Sequence, residues 1–229
     1  MFNIQYSMFN IQCSMFNIQY SMFNLVKGRV RVWPYYLLTP LLLLVSCQDK
    51  DDVEEEFVDW QATNVSYFNA LAAETQAKVA AQDASWALIP SVLKPAVGYQ
   101  YKTTDYIVVQ KLENGAGTTS PLHTDSVEVH YQGWLLPSRH YPTGMMFDYS
   151  YEGAFDPVVA SPVAFYTGGV VEGFQTALQH MHRGDHWKVY IPYQLGYKES
   201  ESGSIPGYST LIFELRLEDF WKKEKGDRQ

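Results

Sequence analysis

Three histidines that lie close together in the sequence form the set that most resembles a metal site. His180, His182 and His186 form a His-x-His-x₃-His run, and imidazole nitrogen is a common zinc ligand. No carboxylate or cysteine has a matching spacing, so the run is interpreted as exposed residues around the end of a helix. A Ser-His-Asp arrangement, a phosphate-binding loop and a Cys-x-x-Cys pair are also missing from the sequence. Chemistry that needs a nucleophile, a metal or a cofactor is therefore not expected.

The stretch 170–197 is predicted to organise the rest of the chain. Phe174, Leu178 and Met181 recur at helical spacing, which predicts a short helix with one apolar stripe. The helix is expected to end at Gly184, because glycine accepts the left-handed backbone that is common at helix ends.

A strand is predicted directly after this helix, where apolar residues alternate with other residues until Pro192. A short helix with a bulky apolar face needs a concave sheet to receive it, so the neighbouring strands should wrap around Phe174. Backbone N–H groups just before the helix, at Val170 and Val171, lack intrahelical partners. They are therefore candidates to bind a carbonyl oxygen of a ligand.

Alternating apolar residues predict further strands on both sides of this stretch. The predicted strands are 106–111, 127–135, 147–148, 163–166 and 210–220. In 127–135 the alternation places His130 and Gln132 on the side that faces away from the core. Strands joined by loops, with one short helix among them, predict an α+β antiparallel fold in one domain of about 130 residues.

The segment in front of the strands is predicted to be helical. Residues 57–79 follow helical spacing and are rich in alanine, which favours a helix. Pro90 and Pro95 mark residues 82–98 as a connector. The helix is expected to pack on the domain that follows it, with self-association through 57–79 as the alternative.

The first 28 residues repeat a seven-residue unit four times, from MFNIQYS to the diverged MFNLVKG. The pattern fits a coiled coil and a strand equally well, and it carries no charges that would specify pairing. It therefore predicts neither structure. The repeated methionines make Met22 an alternative start to Met1, with the upstream copies arising by tandem duplication.

From Met22 onward the sequence has the features of an export signal. Three basic residues precede an apolar stretch, 35–45, which is too short and too interrupted for a bilayer span. The stretch ends in Leu-Val-Ser-Cys, which resembles the bacterial lipobox and marks Cys47 as the residue that is acylated. Residues 1–46 are therefore predicted to be a repeat-bearing leader and lipoprotein signal peptide. The other cysteine, Cys13, lies upstream, so the processed chain has no pair to form a disulfide.

Charge distinguishes the leader from the rest of the chain. Three of the 17 basic residues and none of the 25 acidic residues precede Cys47, which leaves 14 basic residues against 25 acidic ones and a formal net charge of −11. Nucleic acid and anionic membrane surfaces are therefore not expected as partners. Residues 47–56 contain six of the acids and are predicted to be a solvated tether. This run also resembles the acidic segment that directs some lipoproteins to the outer face of the outer membrane.

Five motifs in chain order make the sequence resemble the FKBP family, the macrolide-binding peptidyl-prolyl isomerases. They are VEVHYQGWL, MFD, VVEGFQTALQHMHRGD, IPYQLGY and SIPGYSTLIFELRL. The family implies a five-stranded antiparallel sheet wrapped around one short helix, in an isomerase domain at 99–221. This domain follows the helical segment and connector at 57–98 and precedes a charged tail at 222–229. The family also implies a proline-binding pocket lined by aromatic residues.

The resemblance implies roles for particular residues. Tyr131, Asp148 and Tyr197 match positions assigned to catalysis, and the Tyr197 hydroxyl is expected to reach a bound amide. Phe174 is expected to form the pocket floor, and Ile205 belongs to the loop that covers the pocket. The apolar positions implied to bind substrate are Phe147, Val163, Val170, Val171, Phe174, Ile205 and Phe213.

Three positions depart from the common family pattern. Many members have tryptophan where this chain has Phe174, phenylalanine where it has Val163, and glycine where it has Lys198. The first two changes leave the pocket apolar but shallower. The loops 136–145 and 149–162 are also longer than in minimal members of the family, which is expected to reshape the rim of the pocket.

The implied function is rotation of X–Pro peptide bonds in exported polypeptides, in an apolar pocket and without covalent catalysis. Proline-containing polypeptides and macrolides such as tacrolimus or rapamycin are the implied ligands. The alternatives are a chaperone module that binds proline-containing or unfolded segments with little turnover, and a surface scaffold for a partner. The expected location is the outer membrane, as a lipoprotein on the periplasmic or cell-surface side.

The lipobox interpretation makes a direct prediction. Because Cys47 ends the apolar stretch, Cys47→Ala should leave the protein soluble or unprocessed. It should also abolish labelling by a radioactive fatty acid. Label retained by the variant would contradict the lipoprotein interpretation.

Overall fold

The computed structural model describes residues 56–222. The repeat, the signal sequence, Cys47, most of the acidic tether and nearly all of the charged tail lie outside the described residues, so their assignments stay predictions. Within 56–222, no helix is both long enough and apolar enough to cross a membrane.

Two α-helices and seven β-strands make up the described part of the chain. The helices are α1 (Trp60–Ala80) and α2 (Glu172–Leu178). The strands are β1 (Trp86–Pro90), β2 (Tyr106–Glu113), β3 (Asp125–Trp134), β4 (Met146–Tyr149), β5 (Val163–Tyr166), β6 (His186–Ile191) and β7 (Leu211–Lys222). Short 3₁₀ turns occur at Thr103–Asp105, Thr167–Gly169 and Tyr193–Leu195.

The strands form one antiparallel sheet in the order β1-β2-β6-β7-β3-β4, and β5 pairs with β3 beside β4. The α+β class is confirmed, but the sheet has seven strands where five were predicted. One reason is that two short strands share one edge of β3. β5 pairs with residues 126–129 and β4 with residues 132–134.

A strand at 86–90 is the second reason for the higher strand number. Residues 82–98 were predicted to be a connector, yet β1 pairs residue by residue with β2. β1 is an edge strand and Pro90 is its last residue, a position where a missing N–H does not interrupt the sheet. The connector prediction was wrong because a proline at a strand end was interpreted as a break between elements.

α2 packs its apolar stripe against the sheet, as predicted, but the helix is shorter than expected. Phe174 and Leu178 are buried, and so is Met181, which lies in the turn after the helix. The helix ends at Leu178 rather than at Gly184. Gly184 does have a left-handed backbone, with φ +87°, but it lies in the turn before β6, where its N–H donates to the carbonyl of Leu217 at 2.8 Å.

α1 covers part of the sheet within the same chain, as the sequence analysis favoured. Its buried residues follow helical spacing and are Trp60, Asn64, Phe68, Ala72 and Thr75. Tyr190 and Ile191 are neighbours in β6, so their side chains lie on opposite faces of the sheet. Burial raises the pKa of Tyr190 to about 12, and the nearby Tyr67 and Glu74 of α1 contribute to the increase. The residues of β6 therefore have packing partners on both faces of the sheet, which explains why only Lys188 in this strand is not buried.

The outer face of β3 is also covered, although its residues were predicted to face away from the core. His130 is 4% exposed, and its ring lies 4.9 Å from that of Phe155. Gln132 is 6% exposed and donates to the carbonyl of Tyr151 at 3.0 Å. The long loop after β4 therefore folds back over this strand. Histidine and glutamine are usually exposed, so residues 130 and 132 did not indicate that a loop would bury them.

The position of Leu178 generates a stability prediction. Leu178 is fully buried on the sheet side of α2, so Leu178→Ala should cost ~2–5 kcal/mol of unfolding free energy. Gln179→Ala is the matched control, since Gln179 caps the helix through its backbone N–H, which the substitution keeps, and its side-chain amide nitrogen has no partner among the described residues. The control should cost about 0.5 kcal/mol at most. Similar losses for both variants in urea unfolding would mean that the buried face of α2 is misassigned.

Candidate active site

Five aromatic rings converge where α2 meets the sheet. They belong to Tyr131, Phe147, Phe165, Phe174 and Phe213. The Phe174 ring lies 5.0 Å from Phe213, 6.0 Å from Phe165 and 6.2 Å from Tyr131, all in edge-to-face orientation. Phe147 adds an edge-to-face contact with Phe213 at 5.4 Å. This arrangement, named the aromatic cluster below, is the largest connected set of rings in residues 56–222.

The cluster combines side chains from distant parts of the chain. Tyr131 comes from β3 and Phe213 from the adjacent β7, while Phe174 reaches them from α2. These three residues are 4–5% exposed. The predicted floor position of Phe174 and the predicted contributions of Tyr131, Phe147 and Phe213 therefore meet in one place.

A glycine in β3 gives two of these rings their space. A Cβ atom at Gly133 would lie 2.7 Å from Cε1 of Phe213 and 2.8 Å from Cζ of Phe147. Such distances are well below ordinary van der Waals contact, so any side chain here would displace the rings. Sequence analysis did not single out Gly133, but a glycine inside an otherwise regular strand is a signal of close approach.

Phe165 is a second residue that sequence analysis missed. The family resemblance implied Val163 as the wall residue of this strand, because many members have phenylalanine at that position. Val163 is half-buried opposite Val129, and Phe165, on the same side of β5, places its ring 5.5 Å from Tyr131. The site therefore does have an aromatic side chain from this strand, two residues later than expected. The alternation of β5 would have indicated it.

Polar groups lie at the edge of the aromatic cluster. Burial raises the pKa of the Tyr131 hydroxyl well above its usual range, and its hydrogen bond to Asp148 and the nearby Tyr197 raise it further. The hydroxyl therefore stays protonated at neutral pH and donates to the Asp148 carboxylate. Asp148 is exposed and Tyr197 is 38% exposed. The three residues predicted to be catalytic thus lie together where the cluster meets solvent.

The start of α2 offers the backbone donor that the sequence predicted. Val171 is the N-cap residue, and its carbonyl accepts a hydrogen bond from the N–H of Gln175 at 3.0 Å. The N–H of Val171 donates to no group in residues 56–222. Val170 and Val171 are both half-buried and pack against the core. A ligand carbonyl can therefore meet an unused N–H beside apolar side chains.

The loop between Tyr197 and β7 returns over the core. Ile205 is 5% exposed and belongs to the same buried core as the aromatic cluster. Lys198, at a position where glycine is common in the family, has a left-handed backbone with φ +62°. A side chain is strained in this conformation. Lysine has thus replaced glycine here without removing the backbone geometry that favours glycine.

The three histidines of the His-x-His-x₃-His run do not converge. In residues 56–222, no group of three or more histidine, cysteine or acidic side chains is placed to hold a metal ion. Each ring instead has its own partner. These are the Thr176 carbonyl for His180, Asp185 for His182, and Glu113 and Glu214 for His186.

Comparison with known proteins places this sequence in a family. A family profile described as FKBP-type peptidyl-prolyl cis-trans isomerase matches residues 117–218. The "Macrophage infectivity potentiator" of Trypanosoma cruzi is 37% identical over 112 residues, which cover 48% of this chain and 51% of that protein. The "Outer membrane protein MIP" of Legionella longbeachae is 33% identical over 178 residues, covering 77% of this chain and 67% of that protein.

A solved peptidyl-prolyl cis-trans isomerase from Pseudomonas syringae pv. tomato covers 70% of this chain and 95% of its own, with 24% identity and a TM-score of 0.48. The chain spans about half the length of several of the curated relatives, with 51%, 47% and 50% of three of them matched. The long match to the Legionella protein and the family profile together show the family. The chain belongs to the FKBP-type peptidyl-prolyl cis-trans isomerases.

The role of Gly133 can be tested by adding a single methyl group. Gly133→Ala should push the Phe147 and Phe213 rings apart, because overpacking of this kind costs ~1–3 kcal/mol. It should also change the near-UV circular dichroism of the folded protein. Gly169→Ala is the control, since a Cβ there would make only ordinary contacts with Tyr166. Equal behaviour of the two variants would contradict the tight packing at Gly133.

Proposed function

We propose that this protein accelerates cis–trans rotation of X–Pro bonds in polypeptides outside the cytoplasm. The observation that carries the proposal is the aromatic cluster around Phe174, with polar groups only at its edge. Membership of the FKBP-type isomerases supports the same reaction.

The proposed mechanism follows from the electronic structure of the amide. The planar X–Pro bond has partial double-bond character and a rotation barrier of ~18–20 kcal/mol. Twisting the bond removes this resonance and makes the amide less polar. An apolar site that excludes water therefore disfavours the planar form relative to the twisted one. An acceleration on the order of 10⁴- to 10⁶-fold would require the barrier to fall by about 5–8 kcal/mol.

Each residue around the site has a role in this proposal. Phe174 supplies the floor against which the proline ring rests, and the other rings of the aromatic cluster supply the walls. The Val171 N–H and the Tyr197 hydroxyl hold the carbonyl oxygens on either side of the rotating bond. Asp148 holds the hydroxyl of Tyr131 and thereby fixes that ring at the edge of the pocket. No covalent intermediate and no proton transfer are part of the mechanism.

The cellular setting is proposed from the N-terminal sequence and from the relatives. A lipid anchor at Cys47 and the acidic tether 47–56 would hold the domain at the outer membrane, on the periplasmic or cell-surface side. The name of the Legionella relative, an outer membrane protein, agrees with this location. The proposed clients are exported proteins with slow X–Pro steps, and macrolides such as tacrolimus are expected to compete for the pocket.

Self-association through 57–79 is not part of the proposal. The buried residues of α1 pack against other parts of the same chain, namely β1, β2 and the segment before β7. The side chains between them, such as Gln61, Ser66 and Gln76, are exposed and polar. The remaining exposed side chains of α1 are mostly alanines, with Val79 45% exposed, so the helix has no large apolar face left for a dimer.

A second candidate function is a chaperone that binds unfolded segments with little turnover. One observation favours it: Val158 and Val159, adjacent residues in the long loop after β4, are 91% and 76% exposed. Neighbouring exposed apolar side chains of this kind are common at surfaces that bind other proteins.

One experiment separates the two candidates. A protease-coupled assay on X–Pro peptides measures turnover, and suppression of aggregation of a denatured protein without prolines measures chaperone binding. The isomerase proposal predicts turnover that tacrolimus inhibits. Suppression of aggregation in the absence of turnover would support the chaperone instead. The double variant Val158→Ser/Val159→Ser should reduce only the chaperone signal.

The donor role of Tyr197 gives a quantitative prediction. Tyr197→Phe keeps the ring and removes one hydrogen bond, so kcat/KM should fall about two- to tenfold, equivalent to ~0.5–1.5 kcal/mol. Tyr149→Phe is the matched control, because the Tyr149 hydroxyl is exposed and donates to Glu152 at 2.7 Å. An unchanged kcat/KM in Tyr197→Phe, or an equal loss in Tyr149→Phe, would remove Tyr197 from the mechanism.

A further inference from the structure

We propose that α1 positions the loop that covers the pocket, through a hydrogen bond that Trp60 donates to Ser209 and one that Asn64 accepts from Thr210. These bonds keep Ile205 in place in the buried core that also contains the aromatic cluster, and thereby set the affinity for substrate. The inference rests on the proposed function, because it assigns Ile205 to the binding pocket.

The first link is a two-step relay through Ser209. The indole Nε1 of Trp60 donates to Oγ of Ser209 at 2.8 Å, and this bond joins residues 149 positions apart. Ser209 Oγ donates in turn to the carbonyl of Pro206 at 2.7 Å. Because an indole can only donate, it leaves the single proton of Ser209 free for Pro206. Pro206 directly follows Ile205, so the relay ends at the residue next to the pocket.

The second link is made by Asn64, one turn further along α1. Its Oδ1 accepts from the N–H of Thr210 at 2.7 Å, and its Nδ2 donates to the carbonyl of Trp60 at 2.7 Å. The side chain is fully buried, and these two bonds fix the orientation of its amide. α1 therefore binds two consecutive residues that stand directly before β7, the strand that carries Phe213.

The loop itself needs external support. Lys198 and Tyr208 both have left-handed backbones, with φ +62° and +64°, a conformation disfavoured for residues with side chains. The N–H of Tyr208 donates to the carbonyl of Lys198 at 2.8 Å, and Ser202 and Ile205 exchange two backbone hydrogen bonds. The left-handed backbone at both ends of the loop adds a conformational cost, and in the proposal the hydrogen bonds with α1 offset it.

Packing alone does not explain why the buried stripe of α1 contains a polar residue, Asn64. Phe68 and Ala72 are buried further along the same stripe and would cover the sheet without polar groups. Asn64 lies in this stripe, although a buried amide is costly unless its hydrogen bonds are satisfied. Its hydrogen bonds with Thr210 and Trp60 satisfy the amide. An asparagine at this position is therefore explained by its bond to the segment before β7.

The test compares Ser209→Ala with Ala72→Gly in the full chain. Ser209→Ala removes the acceptor for Trp60 and the donor to Pro206, whereas Ala72→Gly weakens α1 at a buried position that makes no contact of this kind. Ser209→Ala should raise KM for an X–Pro peptide about two- to tenfold, with kcat unchanged. Trp60→Phe should raise KM similarly, and the double variant should show no further increase, because both changes break one relay. Ala72→Gly should leave KM unchanged.

Hydrogen exchange provides a readout that does not depend on turnover. The amides of Ser202, Ile205 and Tyr208 should exchange faster in Ser209→Ala than in the wild type, and at wild-type rates in Ala72→Gly. An inactive wild type with this exchange pattern would refute the proposed function but support the positioning role. Unchanged exchange and KM in Ser209→Ala, or equal effects of Ala72→Gly, would overturn the inference.

Discussion

The close approach of α2 to β6 is the constraint on which the site depends. Gly173 lies against Ile191, and any side chain at position 173 would overlap that residue. Phe174, the next residue, can therefore enter the sheet deeply enough to meet rings from β3, β5 and β7. A helix held further away would leave those rings in contact with water, and the site would lose the apolar environment on which the proposed rotation depends.

Much of this arrangement could be predicted from the sequence, because apolar periodicity reports which side of an element is buried. The spacing of Phe174 and Leu178 predicted the buried face of α2, and alternation predicted β5 at 163–166 with the bounds that it has. The family motifs predicted one site containing Tyr131, Asp148 and Tyr197, and these residues lie close together although they are far apart in the sequence. Local pattern and family resemblance therefore account for the main elements and for the centre of the site.

The rest could not be predicted because it depends on contacts between distant segments. The strand β1 is supported by its register with β2, and nothing local distinguishes it from a proline-containing connector. His130 and Gln132 look solvent-facing by type, but the loop after β4 covers them. Phe165 was not predicted because the family pattern places the wall aromatic at Val163, two residues earlier. In each case the deciding interaction comes from a part of the chain that sequence spacing does not specify.

In the proposed reaction, X–Pro bonds rotate at the aromatic cluster without proton transfer. The most direct measurement is the cis–trans exchange rate of an X–Pro peptide, followed by NMR with catalytic amounts of the protein in H₂O and in D₂O. We predict a saturable acceleration that tacrolimus abolishes, and a ratio of the rates in H₂O and D₂O close to one. An absence of acceleration would contradict the claim. So would a ratio well above one, because it would show that proton transfer limits the reaction.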